Sequence, residues 1–110
     1  MEREDEDRII NEYREALRNM YVYFKDVVEY YILEQEFDWA AAAISRMPDS
    51  SAKVRIWDIY DMAGGDSGFI SNFLETSYVP EERVIINRFN QAKSNYLKLP
   101  FSVIKRNKNI

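Results

Sequence analysis

Three aspartates near the middle of the chain are the side chains best suited to hold a hard cation. Asp58 and Asp61 are three residues apart, which places them on one face of a predicted helix, and Asp66 follows a turn. The alternating oxygen ligands of a calcium loop are absent, so solvated acids beside a turn explain the same residues. The chain has no cysteine and no histidine, which removes the commonest metal ligands and the commonest general base. We therefore expect no metal site, no cofactor and no enzymatic activity.

A short glycine-rich segment carries the second chemical pattern. Gly65-Asp66-Ser67-Gly68 is similar to the nucleophile segment of trypsin-type serine proteases, although the similarity covers only four residues and Phe69 replaces the next glycine. Those enzymes need a histidine base, which this chain lacks. A phosphate site at the same place is disfavoured because Asp66 would repel an anion. A helix that ends at glycine, followed by a helix that begins at aspartate or serine, explains every residue.

Basic and amide side chains on a predicted helix at 81–98 form a candidate nucleic-acid surface. Arginine and amide groups contact phosphates and base edges, and the last 28 residues carry seven basic side chains and no acid. The pI of the whole chain, about 4.9, argues against a general affinity for polyanions, so a solvated basic face is the competing interpretation. The candidate residues are Arg83, Asn87, Arg88, Gln91, Lys98, Lys105, Arg106 and Lys108.

Residues 55–76 are similar in spacing to the DNA-reading unit of helix-turn-helix regulators. Gly64 stands at the turn and an apolar residue follows six positions later. The segment departs from that pattern at Tyr60, where a small residue normally lets the two helices approach. Its second helix also carries Asp66 and Glu75 and no basic residue, although phosphate attraction normally dominates DNA affinity.

Eight tyrosines, five of them before residue 32, form the remaining candidate site. Tyrosine is enriched at the energetic centres of protein interfaces, but it also suits half-buried core positions. The alternation of tyrosine with acids over 23–34 favours a basic protein surface as the partner. The predicted partner-binding residues are Tyr21, Tyr23, Tyr30 and Glu34.

The elements that position these residues are predicted to be helices. A strict 3-then-4 spacing of apolar residues predicts a first helix at about 5–35, and its apolar arc is wider than one neighbouring helix covers. This helix is therefore central to the fold, or it also packs across a dimer. Further helices are predicted at 39–47 with Asp38 as N-cap, at 52–63, at 67–77 and from Pro80 to 98. Only three glycines and three prolines occur, which favours helices over a many-turned β fold.

The sequence therefore predicts an all-α protein, a compact bundle of about five helices built around a long N-terminal amphipathic helix. Residues 1–99 are expected to form one helical domain, and 100–110 a basic, partly flexible tail. No apolar run is long enough to cross a bilayer and no signal peptide is evident, so a cytoplasmic location is expected.

Charge and composition favour binding over catalysis. Residues 1–38 hold twelve acidic and five basic side chains, so the two ends of the chain differ in charge. We expect a non-enzymatic protein-interaction module of the inhibitor, immunity-type, antitoxin or phage/plasmid accessory class, acting through aromatic-rich helical surfaces, with a protein partner or a homodimer formed through the first helix. The alternative is a nucleic-acid-binding transcriptional regulator that uses the basic helix 81–98 and the tail, or the helix-turn-helix segment at 55–76.

Overall fold

A computed structural model describes residues 3–66 and 79–107. These residues form five helices and no strand, which confirms the predicted all-α bundle around a long N-terminal helix. The helices are α1 (Arg3–Leu33), α2 (Phe37–Arg46), α3 (Ser51–Met62), α4 (Pro80–Leu97) and α5 (Phe101–Arg106). The predicted helix at 67–77 lies outside the described residues.

Helix α1 is the centre of the fold, because α4, α2 and α3 all pack against it. Its 31 residues span about 46 Å, close to the 49 Å long axis of the molecule. Three neighbours account for the wide apolar arc, so the arc does not itself require a dimer. The buried line along α1 consists of Ile10, Tyr13, Ala16, Met20, Phe24 and Val28.

A left-handed residue separates α1 from α2. Gln35 has a φ of 61°, its N–H donates to the Ile32 carbonyl at 3.0 Å, and the Glu36 N–H donates to the Tyr31 carbonyl at 2.8 Å. These two bonds form a Schellman motif, which satisfies the carbonyl groups of Tyr31 and Ile32 in the last turn of α1. Helix one therefore does not continue into helix two.

Helix α2 begins two residues earlier than the sequence predicted. Glu36 occupies the N-cap position and Asp38 lies inside the first turn, where its carboxylate accepts a hydrogen bond from the Trp39 N–H at 2.8 Å. The prediction of Asp38 as the N-cap is therefore wrong, because the turn at Gln35 already aims the chain into helical conformation at Phe37. The run Ala40–Ala43 is fully buried, and its small side chains let α2 approach its neighbours closely.

A serine cap and a left-handed glycine mark the two ends of α3. The Ser50 hydroxyl caps the start of the helix by accepting from the Lys53 N–H at 3.2 Å. Gly64 provides the left-handed residue at the other end, with a φ of 93°. The backbone then brings Gly65 against the ring of Tyr60 so closely that a Cβ on Gly65 would overlap that ring. The Tyr60 hydroxyl donates to the Asp66 carbonyl at 2.8 Å, which holds the segment after α3 against the helix.

Aromatic packing joins α1 to α4. The ring of Tyr13 stacks on Tyr96 with centroids 4.6 Å apart and meets Phe89 at 5.8 Å. Burial raises the pKa of Tyr13 above its ordinary value of 10.0, and the neighbouring Tyr96 adds to the rise. This face of α4 is thus a core face, as the sequence pattern indicated, except that Leu97 is exposed.

Residues 101–106, predicted to belong to a partly flexible tail, form a short helix. Val103 is buried, and the Asn107 side chain donates to the Val103 carbonyl at 2.8 Å. Arg14 of α1 donates to the Asn107 side-chain oxygen at 3.4 Å. The apolar residues after Pro100 supply enough burial to hold this segment against the bundle, an effect that the basic charge of the tail concealed.

Candidate functional site

The four predicted partner-binding residues lie at three different places along α1. Tyr23, Tyr30 and Glu34 share one side of the helix, because seven and eleven residues are close to whole numbers of turns. Tyr23 and Tyr30 are nevertheless about 10 Å apart along the helix axis. Tyr21 points to the other side, toward α3. Only Tyr30 and Glu34 are neighbours, four residues apart at the end of the helix.

Tyr21 lies in a groove between α1 and α3. The guanidinium of Arg55 covers its ring at 4.3 Å from the ring centre, which is a cation–π contact. The ring is half-buried, so it has little surface left for a protein partner. Its position favours a structural or ligand-binding role within this groove over a role in a broad interface.

Tyr23 lines a different groove, between α1 and α4. Its ring meets Phe24 edge-on with centroids 5.1 Å apart. Burial raises the pKa of Tyr23 above 10.0, and the carboxylates of Glu82 and Glu81 raise it further. This groove also holds the acidic side chains of Asp26 and Glu15, so its surroundings are negative.

Tyr30 belongs to an exposed apolar surface at the end of α1, which we call the outer patch: Tyr30, Tyr31, Leu33 and Trp39. Tyr30 is 60% exposed, Leu33 is 80% exposed and Trp39 is 43% exposed. The ring of Tyr31 connects them, with its centroid 5.7 Å from Tyr30 and 6.4 Å from Trp39. Leu33 is three residues after Tyr30 and so shares its helix face.

Acidic side chains surround the outer patch. Glu34 and Glu36 are exposed in the turn that follows α1, and Asp38 is half-exposed one residue before Trp39. The nearest basic side chain on α1, Lys25, is already paired with Glu29 at 3.4 Å. None of the three acids around the patch forms an ion pair with the described part of the chain. The surface is therefore apolar at its centre and negative at its edge.

A second aromatic group, the inner cluster of Phe37, Trp57 and Tyr60, holds the outer patch in place. Tyr60 is completely buried, and its ring meets Trp57 edge-on at 5.4 Å and Phe37 at 6.1 Å. Phe37 is the first residue of α2, two positions before Trp39. The inner cluster thus fixes the start of α2 against α3, and with it the position of Trp39 in the outer patch.

The predicted nucleic-acid residues form an exposed strip on α4 that continues onto α5. Arg83, Asn87, Arg88, Gln91 and Lys98 are all exposed, as are Lys105 and Arg106, whereas Lys108 lies outside the described residues. Arg88 and Gln91 border a groove whose other wall includes Glu12 and Glu15 of α1. The basic face of α4 therefore runs beside acidic residues of α1.

The helix-turn-helix prediction falls partly outside the described residues, because its second helix would occupy 67–76. In the part that the structure describes, Tyr60 is buried between Trp57, Phe37 and Gly65. The bulky residue that departs from the helix-turn-helix pattern therefore has a packing role in this fold.

A buried ion pair between α2 and α4 escaped the sequence interpretation. Glu82 is only 2% exposed, and its carboxylate oxygens accept from Arg46 Nε at 3.0 Å and Nη2 at 3.1 Å. Glu82 lies in the first turn of α4, where an acid also complements the helix dipole. The missed signal is the spacing, because Glu82 is four and seven residues before Ile86 and Phe89 and so shares their core face.

Arg14, Arg18 and Arg55 were also not predicted to be site residues. The structure brings them to the groove that contains Tyr21. The signal available in the sequence was the four-residue spacing of Arg14 and Arg18, which puts two arginines on one helix face.

Residues 3–66 and 79–107 contain neither a cluster of metal ligands nor a helix that could span a membrane. No group of three or more acidic side chains in residues 3–66 and 79–107 converges as a metal site, so Asp58, Asp61 and Asp66 do not form one. Within the same ranges, no helix has the length and apolar character needed to cross a bilayer. Comparisons with protein-family models, with curated proteins and with solved structures give no match to this chain.

Proposed function

We propose that this chain is a non-enzymatic protein-interaction module that binds a basic protein through the outer patch. The observation that carries the proposal is the exposure of Leu33 and Tyr30 at the end of α1, close in the chain to Trp39 at the start of α2. Aromatic and large apolar side chains of this kind supply most of the binding energy when a partner removes them from water. The inner cluster holds the patch in one arrangement, which lowers the entropy lost on binding.

The charge around the patch specifies the kind of partner. Glu34, Glu36 and Asp38 would repel an acidic surface and attract lysine or arginine side chains. A second copy of this chain would bring the same acids face to face around a twofold axis. A basic partner with an apolar side chain at the centre of its surface is therefore favoured over a homodimer.

Affinity capture from the source organism tests this proposal, with two double variants that each replace two exposed apolar side chains by serine. Tyr30→Ser with Leu33→Ser removes the centre of the outer patch, and Val54→Ser with Met62→Ser removes two exposed apolar side chains of α3. We expect the intact chain and the α3 variant to retain the same basic protein, and the patch variant to lose it. Equal capture by all three proteins would contradict the proposal.

A measurement of mass in solution distinguishes the homodimer from the basic partner. Light scattering of the purified intact chain is expected to give the mass of a monomer, 13.1 kDa. A stable dimer that dissociates in the patch variant would show that the outer patch binds a second copy instead.

The strip of basic and amide side chains on α4 supports a second candidate, a nucleic-acid-binding regulator. Its side chains are exposed together along one helix and continue onto α5. Neutralising Arg83, Arg88, Lys105 and Arg106 would then reduce salt-sensitive binding of DNA or RNA. Unchanged binding after these four substitutions would eliminate this candidate.

A further inference from the structure

The groove between α1 and α3, called here the arginine groove, brings three arginines together with one tyrosine ring. It has a volume of about 450 Å³, and its charged residues are Arg14 and Arg18 from α1 and Arg55 from α3. Tyr21 and Ser51 contribute the polar part of the wall. Among residues 3–66 and 79–107, no acidic side chain lines this groove, although acids outnumber bases in the chain as a whole.

The arginines of this groove differ from the paired arginines elsewhere. In the described residues, Arg8 pairs with Asp5 and Glu12, and Arg46 pairs with Glu82. Arg14, Arg18 and Arg55 form no such ion pair within residues 3–66 and 79–107. Arg14 and Arg18 are four residues apart on α1, so their like charges repel each other and destabilise the helix. An anion bound between them would relieve that repulsion.

Arg55 is held in an orientation that suits an anion. Its guanidinium carbon lies over the Tyr21 ring, 4.3 Å from the ring centre. A guanidinium has five N–H donors, so this contact leaves donors available for paired hydrogen bonds with an anion. The fork geometry of these donors matches phosphate oxygens.

We propose that the arginine groove binds a phosphate-bearing ligand, supplied as a free phosphate compound or as a single nucleic-acid strand. A phosphate is favoured over a single carboxylate because it carries more negative charge and offers more oxygens to the three arginines. Duplex DNA is disfavoured, because a protein reads a duplex with a helix or strand that protrudes into the DNA groove. The arginine groove is instead a concave surface between two packed helices. At the start of α3, the Ser50 hydroxyl already accepts the hydrogen bond of the Lys53 N–H. That backbone donor is therefore not available to a ligand, and the arginines supply the binding.

Acidic side chains in the neighbouring grooves would repel a phosphate, so the proposed site is confined to the arginine groove. Arg14 also borders a groove that contains Glu6 and Asp7, and Arg18 borders the acidic groove near Asp26. Arg55 borders neither of these two acidic grooves, so it is the best residue to test.

The test measures the affinity of the intact chain for inorganic pyrophosphate and for a short oligothymidylate at low ionic strength. Arg55→Gln is expected to weaken binding by about tenfold, since each charge-assisted pair of hydrogen bonds contributes at least that factor. Arg55→Lys keeps the charge but loses the fork, so it is expected to restore binding only in part. Arg8→Gln, which removes the same charge from an exposed arginine outside both the arginine groove and the strip on α4, is the matched control and is expected to bind normally.

The two probes identify the source of the phosphate. Binding of pyrophosphate alone indicates a free phosphate compound, binding of the oligonucleotide alone indicates a strand, and competition between them indicates that one groove accepts both. Each result supports the proposal if Arg55→Gln reduces it. The proposal is overturned if neither probe binds, if Arg8→Gln weakens binding as much as Arg55→Gln, or if polyglutamate binds more tightly than both probes. The patch variant Tyr30→Ser with Leu33→Ser is expected to bind the probes normally, so the two proposals fail independently.

Discussion

The inner cluster and the outer patch are two aromatic groups at the same end of the molecule, and they differ in their exposure to water. Tyr60 at the centre of the inner cluster is fully buried and its hydroxyl is hydrogen-bonded to the Asp66 carbonyl. Tyr30 and Leu33 in the outer patch remain largely exposed. The same residue types thus serve two purposes, which composition alone does not separate. The aromatic residues of the inner cluster lie in the core or pack against it, and we propose that Tyr30 and Leu33 of the outer patch contact a partner.

The largest effect is expected from removing the centre of the inner cluster. Tyr60→Ala leaves a cavity next to Trp57 and Phe37 and should lower the free energy of unfolding by about 3–5 kcal/mol. Chemical denaturation followed by circular dichroism measures this change. A loss below about 1 kcal/mol would show that the inner cluster is not part of the core.

Removing only the Tyr60 hydroxyl gives a smaller effect that depends on pH. Tyr60→Phe loses the hydrogen bond to Asp66, which contributes about 1 kcal/mol near neutral pH. Burial raises the pKa of Tyr60 above 10.0, so the folded chain keeps this proton at pH values where the unfolded chain releases it. The stability of the intact protein is therefore complete below about pH 10 and falls as the pH rises through the folded pKa.

The same denaturation experiment at about pH 8 and about pH 10.5 measures this dependence. The decrease between the two values should be smaller in Tyr60→Phe than in the intact protein. Tyr13 and Tyr23, whose pKa values are also raised by burial, supply the decrease that remains. An identical decrease in both proteins would contradict the buried position of the Tyr60 hydroxyl.

The turn between the two aromatic groups offers a change of opposite sign. Gln35 has a left-handed φ of 61°, a conformation that costs most residues about 1–2 kcal/mol and glycine very little. Gln35→Gly should therefore raise the free energy of unfolding by about 0.5–1 kcal/mol, after the added flexibility of the unfolded chain is subtracted. Glu36→Gly, at a residue with a φ of −101°, is the control and should give no gain.

The sequence was sufficient for the parts of this fold that depend on periodicity and on local turn chemistry. The apolar spacing of α1 and the glycine end of α3 at Gly64 are confirmed. The end of α1 was predicted at about residue 35 and lies at Leu33, because glutamine at position 35 gives no turn signal of its own. The ordered helix after Pro100 was also not predicted, because its stability comes from contacts of Val103 with distant parts of the chain.

The candidate site shows the same division. The sequence identified Tyr30 and Glu34, which the structure places beside each other on an exposed helix end. It grouped Tyr21 and Tyr23 with them, although the fold places these two in separate grooves. The exposure of a tyrosine depends on which neighbouring helix covers it. Trp39 joins the patch through the turn at Gln35, which no local pattern specifies.

The smallest effect on stability, and the largest on binding, is expected in the outer patch. The patch variant Tyr30→Ser with Leu33→Ser should unfold within about 0.5 kcal/mol of the intact protein, because both side chains are mostly exposed. A captured basic partner, titrated by calorimetry into the intact chain, the patch variant and the α3 control variant, then measures binding directly. The proposed function predicts a loss of at least about 100-fold in affinity for the patch variant and unchanged affinity for Val54→Ser with Met62→Ser. Equal affinity for all three folded proteins would contradict the assignment of the outer patch as the binding surface.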